Sequence, residues 1–210
     1  MLLRKELFNL KPFNDGYVLE KIDEYSKIIV PAKVGSYEIK AVDGLKGIIQ
    51  GQKDIELNDK GINEARKAKD EFNSLKIDLI MCSPLKRAKE TAKILNTDKN
   101  INIIYKSELI ERGLGNFEGE SCITEEDDIY NYHMNKTIRN IEPVVDLCNR
   151  INDLIDEIKN KYKGKNILLV THSGTARAIE RYFYGIDENG DLPPENLKNC
   201  EIREYEIMEK

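Results

Sequence analysis

An arginine that could bind an anion follows a short apolar run in this chain of 210 residues. The run over 77–82 reads IDLIMC and leads into SPLKRAKETA, in which Pro84 suits the first turn of a helix. Arg87 then lies in that first turn, and its guanidinium can hold a phosphate or a carboxylate through two parallel hydrogen bonds. Considered alone, Arg87 is better explained as the partner in a surface ion pair.

A histidine follows a second apolar run in the same way. The run over 166–171 reads NILLVT, and His172, Ser173 and Gly174 come directly after it, where another helix is predicted to begin. The N–H groups at the start of a helix point outward and favour an anion. We therefore predict that these three residues form a site for an anion. A structural histidine is the alternative for His172.

Glu111 is the third candidate for chemistry. It lies in ELIERGLGNFEG, residues 108–119, a stretch in which glycines are frequent. A carboxylic acid in such a loop can act as a general acid. Without other support, a solvated loop carboxylate is the simpler interpretation.

Short strands that alternate with longer helices must position these candidates. Strands are predicted at 27–31, 77–82, 101–105, 166–171 and 200–207, the last at a sheet edge, and helices at 58–75, 84–95, 143–162 and 173–185. This alternation predicts an α/β fold with a mainly parallel central sheet flanked by helices on both faces. Ligands of such sheets bind at the carboxyl ends of the strands, where Arg87 and His172 are expected.

The chain before the first predicted strand forms a separate region. We predict that residues 1–26 are an extension packed on a domain formed by residues 27–210, with a short helix over 17–26. A partner-binding arm is the alternative for the extension.

Composition excludes several classes of protein. The net charge of -5 and the pI of about 5.3 argue against nucleic acid as a partner, because binding to a phosphate backbone needs a basic face. No apolar run approaches the roughly 18–20 residues that span a bilayer, so no membrane association is expected.

The chain has four cysteines without a Cys-x-x-Cys pair and only two histidines, so we predict no metal site. Free thiols favour a cytoplasmic location.

The three candidates together resemble a known family. The ordered segments SPLKRAKETA, ELIERGLGNFEG and VTHSGTARAI are similar to those of the histidine phosphatase superfamily, in its phosphoglycerate-mutase-like branch, and QGQKDIELNDKG at 50–61 adds a fourth match. The resemblance spans roughly residues 27–207. It implies a three-layer fold and phosphoryl chemistry that uses no metal or other cofactor. It also implies phosphate binding by Arg87 and His172, with Glu111 protonating the leaving group.

One motif of that family is missing. Its first strand ends in Arg-His-Gly, and the resemblance implies that this histidine attacks the phosphoryl group and becomes phosphohistidine. This chain has no histidine before His133 and no arginine between Arg4 and Arg66. The surroundings of His133, YNYHMN, are polar, and we predict an exposed residue there.

Two registers are open for the first strand. If KIIVPAK is the strand, Ala32 and Lys33 replace the family's arginine and histidine; if YEIKAVDG is the strand, Val42 and Asp43 replace them. We prefer the first register, because residues 28–30 form the more apolar run. In that register Lys33 would add a cation to the phosphate site.

The sequence therefore predicts a phosphoglycerate-mutase-like protein that is catalytically impaired and keeps a pocket for inorganic phosphate or a phosphorylated small molecule. One alternative is an active phosphomonoester hydrolase with a rearranged nucleophile, of which His172 is the best candidate. Another is a non-catalytic interaction module that uses residues 1–26. Whether the chain is an enzyme, whether it would be a mutase or a phosphatase, and whether it forms a homodimer stay open at this stage.

Overall fold

The computed structural model describes residues 11–13, 16–18 and 26–32 as backbone, and residues 49–120, 131–133, 139–193 and 199–207 with their side chains. The elements are β1 (Lys11–Phe13), β2 (Gly16–Val18), β3 (Ser26–Ala32), α1 (Asp59–Ser74), β4 (Leu79–Cys82), α2 (Lys86–Leu95), β5 (Ile103–Tyr105), α3 (Val144–Lys161), β6 (Asn166–Val170), α4 (Ser173–Tyr184) and β7 (Glu201–Ile207), with short 3₁₀ turns at Asn96–Asp98, Ser107–Leu109 and Gly115–Phe117.

Five of these strands form one mainly parallel sheet in the order β5-β4-β6-β3-β7. The pairs β5–β4, β4–β6 and β6–β3 are parallel, and only β7 runs antiparallel, against β3 at the sheet edge. The predicted mainly parallel sheet and the predicted edge strand are confirmed. Because these four strands share one direction, the carboxyl ends of β3, β4, β5 and β6 lie at the same edge of the sheet.

Alternate residues of the central strands face two separate cores. Met81 of β4 and Leu169 of β6 pack with α3 and α4, in a cluster that includes Ile151 and Ile155. On the opposite face, Ile80, Cys82, Leu168 and Val170 pack with α1 and α2, in a cluster that includes Phe72 and Ala92. The period-two alternation of a strand thus places helices on both faces of the sheet, as predicted.

The ends of α1 and α4 follow from local chemistry. The side chain of Asn58 accepts a hydrogen bond from the Gly61 N–H at 2.8 Å and so caps α1. Gly185 follows the last residue of α4 with φ +85°, a left-handed conformation that glycine adopts without strain, so the helix ends where the sequence predicts.

The start of α2 differs from the prediction. Pro84 was predicted in the first turn, but the helix begins at Lys86 with Leu85 extended at the cap position. The Ser83 hydroxyl accepts a hydrogen bond from the Leu85 N–H at 3.3 Å and so holds a turn between β4 and the helix. Pro84 therefore lies in that turn, while Arg87 stays in the first turn of α2 as predicted.

The amino-terminal region contains a hairpin where a helix was predicted. β1 and β2 pair antiparallel, so Tyr17 and Val18 are strand residues, and the predicted helix over 17–26 is wrong at both ends, since Ser26 begins β3. Phe13 pairs with Gly16, and glycine disfavours helix interiors, which argues against a helix that begins at this point. The division at residue 26 stays a prediction.

The strand over 26–32 matches the first of the two registers. β3 pairs in parallel with β6, with Ile29 opposite Leu168, and it ends at Ala32, opposite Glu201 of β7. Lys33 follows directly but lies outside the described residues, as do Val42 and Asp43 of the other register.

Candidate functional site

The turns after β4 and β6 bring the three candidate residues together at the carboxyl edge of the sheet. The Ser83 N–H donates to the Val170 carbonyl at 2.9 Å, so the turn into α2 is fixed beside the turn into α4. His172 contacts Ser83 across this junction, and Glu111 contacts the first turn of α4. Arg87 lies close enough to Glu111 for their charges to interact. The predicted grouping of Arg87, Glu111 and His172 therefore exists in the structure.

His172 is a buried and neutral side chain. It is 2% exposed, and its Nε2 lies 2.7 Å from the Ser83 Oγ. Its Nδ1 is also buried and has no hydrogen-bond partner among the described residues. Burial, reinforced by the positive charges of Arg87 and Arg150, lowers the pKa of His172 well below its usual 6.5. The imidazole is therefore uncharged at pH 7.

This shift predicts a pH-dependent stability. Between the lowered pKa of folded His172 and the ordinary value near 6.5, the unfolded chain binds a proton that the folded chain does not, so stability falls as pH decreases through that window. We expect the midpoint of thermal unfolding to fall less between pH 7 and pH 5.5 in His172→Asn than in the native chain. Glu111, whose folded pKa is raised, contributes with the opposite sign in both proteins. Equal pH dependences in the two proteins would contradict the assignment of a neutral buried imidazole.

The Glu111 carboxylate is held at the amino terminus of α4. It accepts hydrogen bonds from the backbone N–H groups of Arg112 at 2.8 Å, Thr175 at 3.2 Å and Gly174 at 3.3 Å. Burial raises the pKa of Glu111, while these N–H groups and the charge of Arg87 oppose the shift. A raised pKa is the direction that a general acid needs in order to hold its proton closer to neutral pH.

This arrangement changes the role expected of Gly174. Its N–H was predicted to bind phosphate, but it donates to Glu111. A Cβ atom at this position would lie 2.8 Å from Glu111 Oε1 and 3.3 Å from the Cβ of Arg112. Glycine is therefore needed here for the close approach of the carboxylate to the helix. Ser173, the other predicted helix residue, has a buried hydroxyl without a partner among the described residues.

Gly174→Ala is expected to destabilise the chain by about 1–3 kcal/mol, because the added methyl group must displace Glu111 or Arg112. Gly113→Ala is the matched control, since its Cβ would meet its nearest neighbour at 3.5 Å, an ordinary contact. Urea unfolding measures both free energies of unfolding. If Gly174→Ala lowers the free energy of unfolding no more than Gly113→Ala does, position 174 does not require glycine.

Arg87 is buried and anchors the loop that precedes α1. It is 2% exposed, and its guanidinium donates to the carbonyls of Gly51 and Lys53, each at 2.8 Å. The alternative of a surface ion pair is therefore wrong. A guanidinium carries five N–H donors, so these two bonds do not exhaust it. Burial lowers the pKa of Arg87 and the nearby carboxylates raise it, which leaves the group charged at pH 7.

Sequence reasoning missed several residues that position the site. Ser83 binds His172, and Thr175 binds Glu111 and also donates its hydroxyl to the Ile110 carbonyl. Gln52 donates its side-chain amide to the Glu111 carbonyl at 2.9 Å. All three lie inside the segments that carried the family resemblance, which was the one available signal for them.

The described residues contain neither a candidate metal site nor a candidate membrane span. Within the described ranges, no group of three or more histidine, cysteine, aspartate or glutamate side chains is placed to hold a metal ion. In the same ranges, no helix combines the length and the apolar character that crossing a bilayer requires.

His133, the other histidine of the chain, is exposed, as predicted.

Comparison with known proteins establishes the family. The sequence profile of the histidine phosphatase superfamily (branch 1) matches residues 41–210. The chain belongs to this superfamily. The match begins beside Val42 of the second register, whereas β3 in the sheet ends at Ala32 of the first. Neither Ala32-Lys33 nor Val42-Asp43 supplies the arginine and the histidine of the family motif. The two residues are therefore missing whichever register the first strand adopts.

Relatives within the histidine phosphatase superfamily include phosphatases and mutases. The chain is 30% identical over 165 residues to the "Uncharacterized phosphatase PhoE" of Bacillus subtilis (strain 168), covering 77% of this chain and 80% of the relative. It is 29% identical over 163 residues to the 2,3-bisphosphoglycerate-dependent phosphoglycerate mutase of Thermoplasma acidophilum, covering 77% and 78%. The solved structure of Bacillus stearothermophilus YhfR shares the fold, with a TM-score of 0.70, 20% identity and coverage of 85% and 90%.

Proposed function

We propose that this histidine phosphatase superfamily member is catalytically impaired and binds inorganic phosphate or a phosphorylated small molecule at the carboxyl edge of its sheet. One observation carries the proposal. Arg87, Glu111 and His172 converge at that edge, while neither register of the first strand supplies the arginine or the histidine of the family. In this proposal the phosphate-binding groups are retained and the nucleophile is absent.

The residues at the missing position are poor nucleophiles. In the preferred register Lys33 replaces the histidine, and an ammonium group with an ordinary pKa of about 10.4 is protonated at pH 7 and does not attack phosphorus. In the other register Asp43 would add a negative charge where an anionic substrate must bind. Removal of a catalytic nucleophile from an enzyme lowers kcat by roughly a millionfold, so turnover of the family type is expected to be negligible.

The remaining groups favour an anion. The Arg87 guanidinium supplies a permanent positive charge, and the buried Nδ1 of His172 and Oγ of Ser173 lack partners among the described residues. A hydrogen bond to a charged group contributes roughly 1.5–3 kcal/mol, so the loss of one arginine weakens such a site without abolishing it. Solved structures of the same fold include mycobacterial glucosyl-3-phosphoglycerate phosphatase in complexes with inorganic phosphate and with VO3, which supports phosphate as the first ligand to test.

The test is the hydrolysis of p-nitrophenyl phosphate by the purified chain between pH 5 and pH 8. We expect a rate that does not exceed that of Arg87→Met purified in parallel, because any shared residual rate then comes from contaminants. A native rate typical of enzymes that is lost in Arg87→Met would overturn the proposed impairment.

A second candidate function is an active phosphomonoester hydrolase in which His172 is the nucleophile. The observation in its favour is that His172 is neutral and has an unpartnered Nδ1. Against it, the family geometry places this histidine beside the phosphate and not in line with the leaving group that Glu111 would protonate. If the native chain is active and His172→Ala is not, this second function replaces the first.

A further inference from the structure

Ser83 and His172 form a buried, hydrogen-bonded pair with one ring nitrogen left without a partner among the described residues. The Ser83 side chain is fully buried, and His172 is 2% exposed. The Ser83 hydroxyl oxygen accepts the Leu85 N–H at 3.3 Å and lies 2.7 Å from His172 Nε2. On the other side of the ring, the buried Nδ1 has no partner in the described part of the chain.

The neutral imidazole has two tautomers, and they use these contacts differently. If Nε2 carries the proton, it donates to the Ser83 oxygen, which already accepts the Leu85 N–H. The hydroxyl hydrogen of Ser83 then has no acceptor among the described residues, and Nδ1 is a buried acceptor without a donor. Two buried groups are left unpaired in this tautomer.

In the other tautomer only one group is left unpaired. If Nδ1 carries the proton, the Ser83 hydroxyl donates to the Nε2 lone pair while its oxygen accepts the Leu85 N–H, so each polar atom of Ser83 is used. The remaining unpaired group is the Nδ1–H of His172. An unpaired buried donor is unfavourable until an acceptor reaches it, so it is suited to an oxygen of a bound anion.

We propose that Ser83 is a positioning residue that holds His172 in the Nδ1–H tautomer, so that the uncharged ring presents a hydrogen-bond donor to a phosphate oxygen. The two residues are held side by side because the Ser83 N–H donates a hydrogen bond to the Val170 carbonyl of β6, two residues before His172. Charge from the histidine is then unnecessary, since Arg87 supplies it. The phosphate contact rests on the proposed function, whereas the tautomer does not.

The tautomer can be read directly by NMR. The chain has two histidines, so ¹⁵N-histidine labelling gives two imidazoles, and His133→Asn removes the exposed one. Long-range ¹H–¹⁵N correlation without phosphate should show a protonated Nδ1 and an unprotonated Nε2 in His172. A protonated Nε2 in the native chain would overturn the proposal, and this measurement needs no variant at position 83.

Two variants at position 83 test the cause. Ser83→Ala should move the proton of His172 toward Nε2, whereas Ser83→Thr, which keeps the hydroxyl, should not. An unchanged tautomer in a folded Ser83→Ala would show that Ser83 does not set it. Inorganic phosphate should bind Ser83→Ala about two- to tenfold more weakly than the native chain, the range expected for one misaligned hydrogen bond. If the native tautomer is as proposed but phosphate does not bind, the proposed function fails and the role of Ser83 stands.

Discussion

Replacing Ala32 with arginine and Lys33 with histidine is expected to raise the rate of p-nitrophenyl phosphate hydrolysis by several orders of magnitude over the native chain. Ala32 ends β3, which lies between β6 and β7 in the sheet, so we expect the new side chains at the edge that holds Arg87, Glu111 and His172. A neutral imidazole can attack phosphorus at pH 7, and in the proposed site Glu111 would protonate the leaving group. Restoring a nucleophile is worth up to about a millionfold in rate.

Val42→Arg/Asp43→His is the matched control for this experiment, because it places the same two residues in the other register. Activity in the Ala32→Arg/Lys33→His variant alone would support the register that β3 indicates. Activity in the control variant alone would assign the register near which the family match begins. If neither variant exceeds the native rate, the site has lost more than its nucleophile.

The second large effect is expected at Arg87. Arg87→Met should raise the dissociation constant of inorganic phosphate by about 10- to 150-fold, because a charge-assisted hydrogen-bonding group is worth roughly 1.5–3 kcal/mol. Arg87→Lys keeps the charge but loses the planar, two-point geometry, so an intermediate constant is expected. Titration calorimetry with phosphate measures all three proteins.

The structural role of Arg87 requires a control of its own. Its side chain also holds the carbonyls of Gly51 and Lys53, so Arg87→Met can loosen that loop. Arg66→Met removes an exposed arginine from α1 and should leave phosphate binding unchanged. Equal phosphate affinities in the native chain and a folded Arg87→Met would remove Arg87 from the site.

The α/β class and the main elements of the sheet could be predicted because the buried strands are short apolar runs bounded by helical periodicity. Leu79 to Cys82 and Asn166 to Val170 are almost entirely buried, and nothing in their sequences competes with a strand. The order of the strands was not predicted, since β3 pairs with β6 across more than a hundred residues and no local pattern indicates that contact.

The site was predicted at the level of residue types, not of contacts. Arg87 and His172 were identified because each follows a buried strand, and the matched segments then joined them with Glu111. The capture of the Glu111 carboxylate by Gly174 and Thr175 was not predicted, because the start of α4 was expected to bind phosphate. The role of Ser83 was not predicted, because a serine before a proline is typical of a turn. Its partner, His172, lies 89 positions later in the sequence.

The most direct test of the central claim is a ³¹P NMR spectrum of a phosphomonoester incubated with the native chain, since one spectrum reports both binding and hydrolysis. We predict that the ester resonance shifts or broadens, that excess inorganic phosphate reverses this change, and that no phosphate is released at an enzymatic rate. Release of inorganic phosphate at an enzymatic rate, abolished by His172→Ala, would contradict the claim that this chain binds phosphorylated ligands without hydrolysing them.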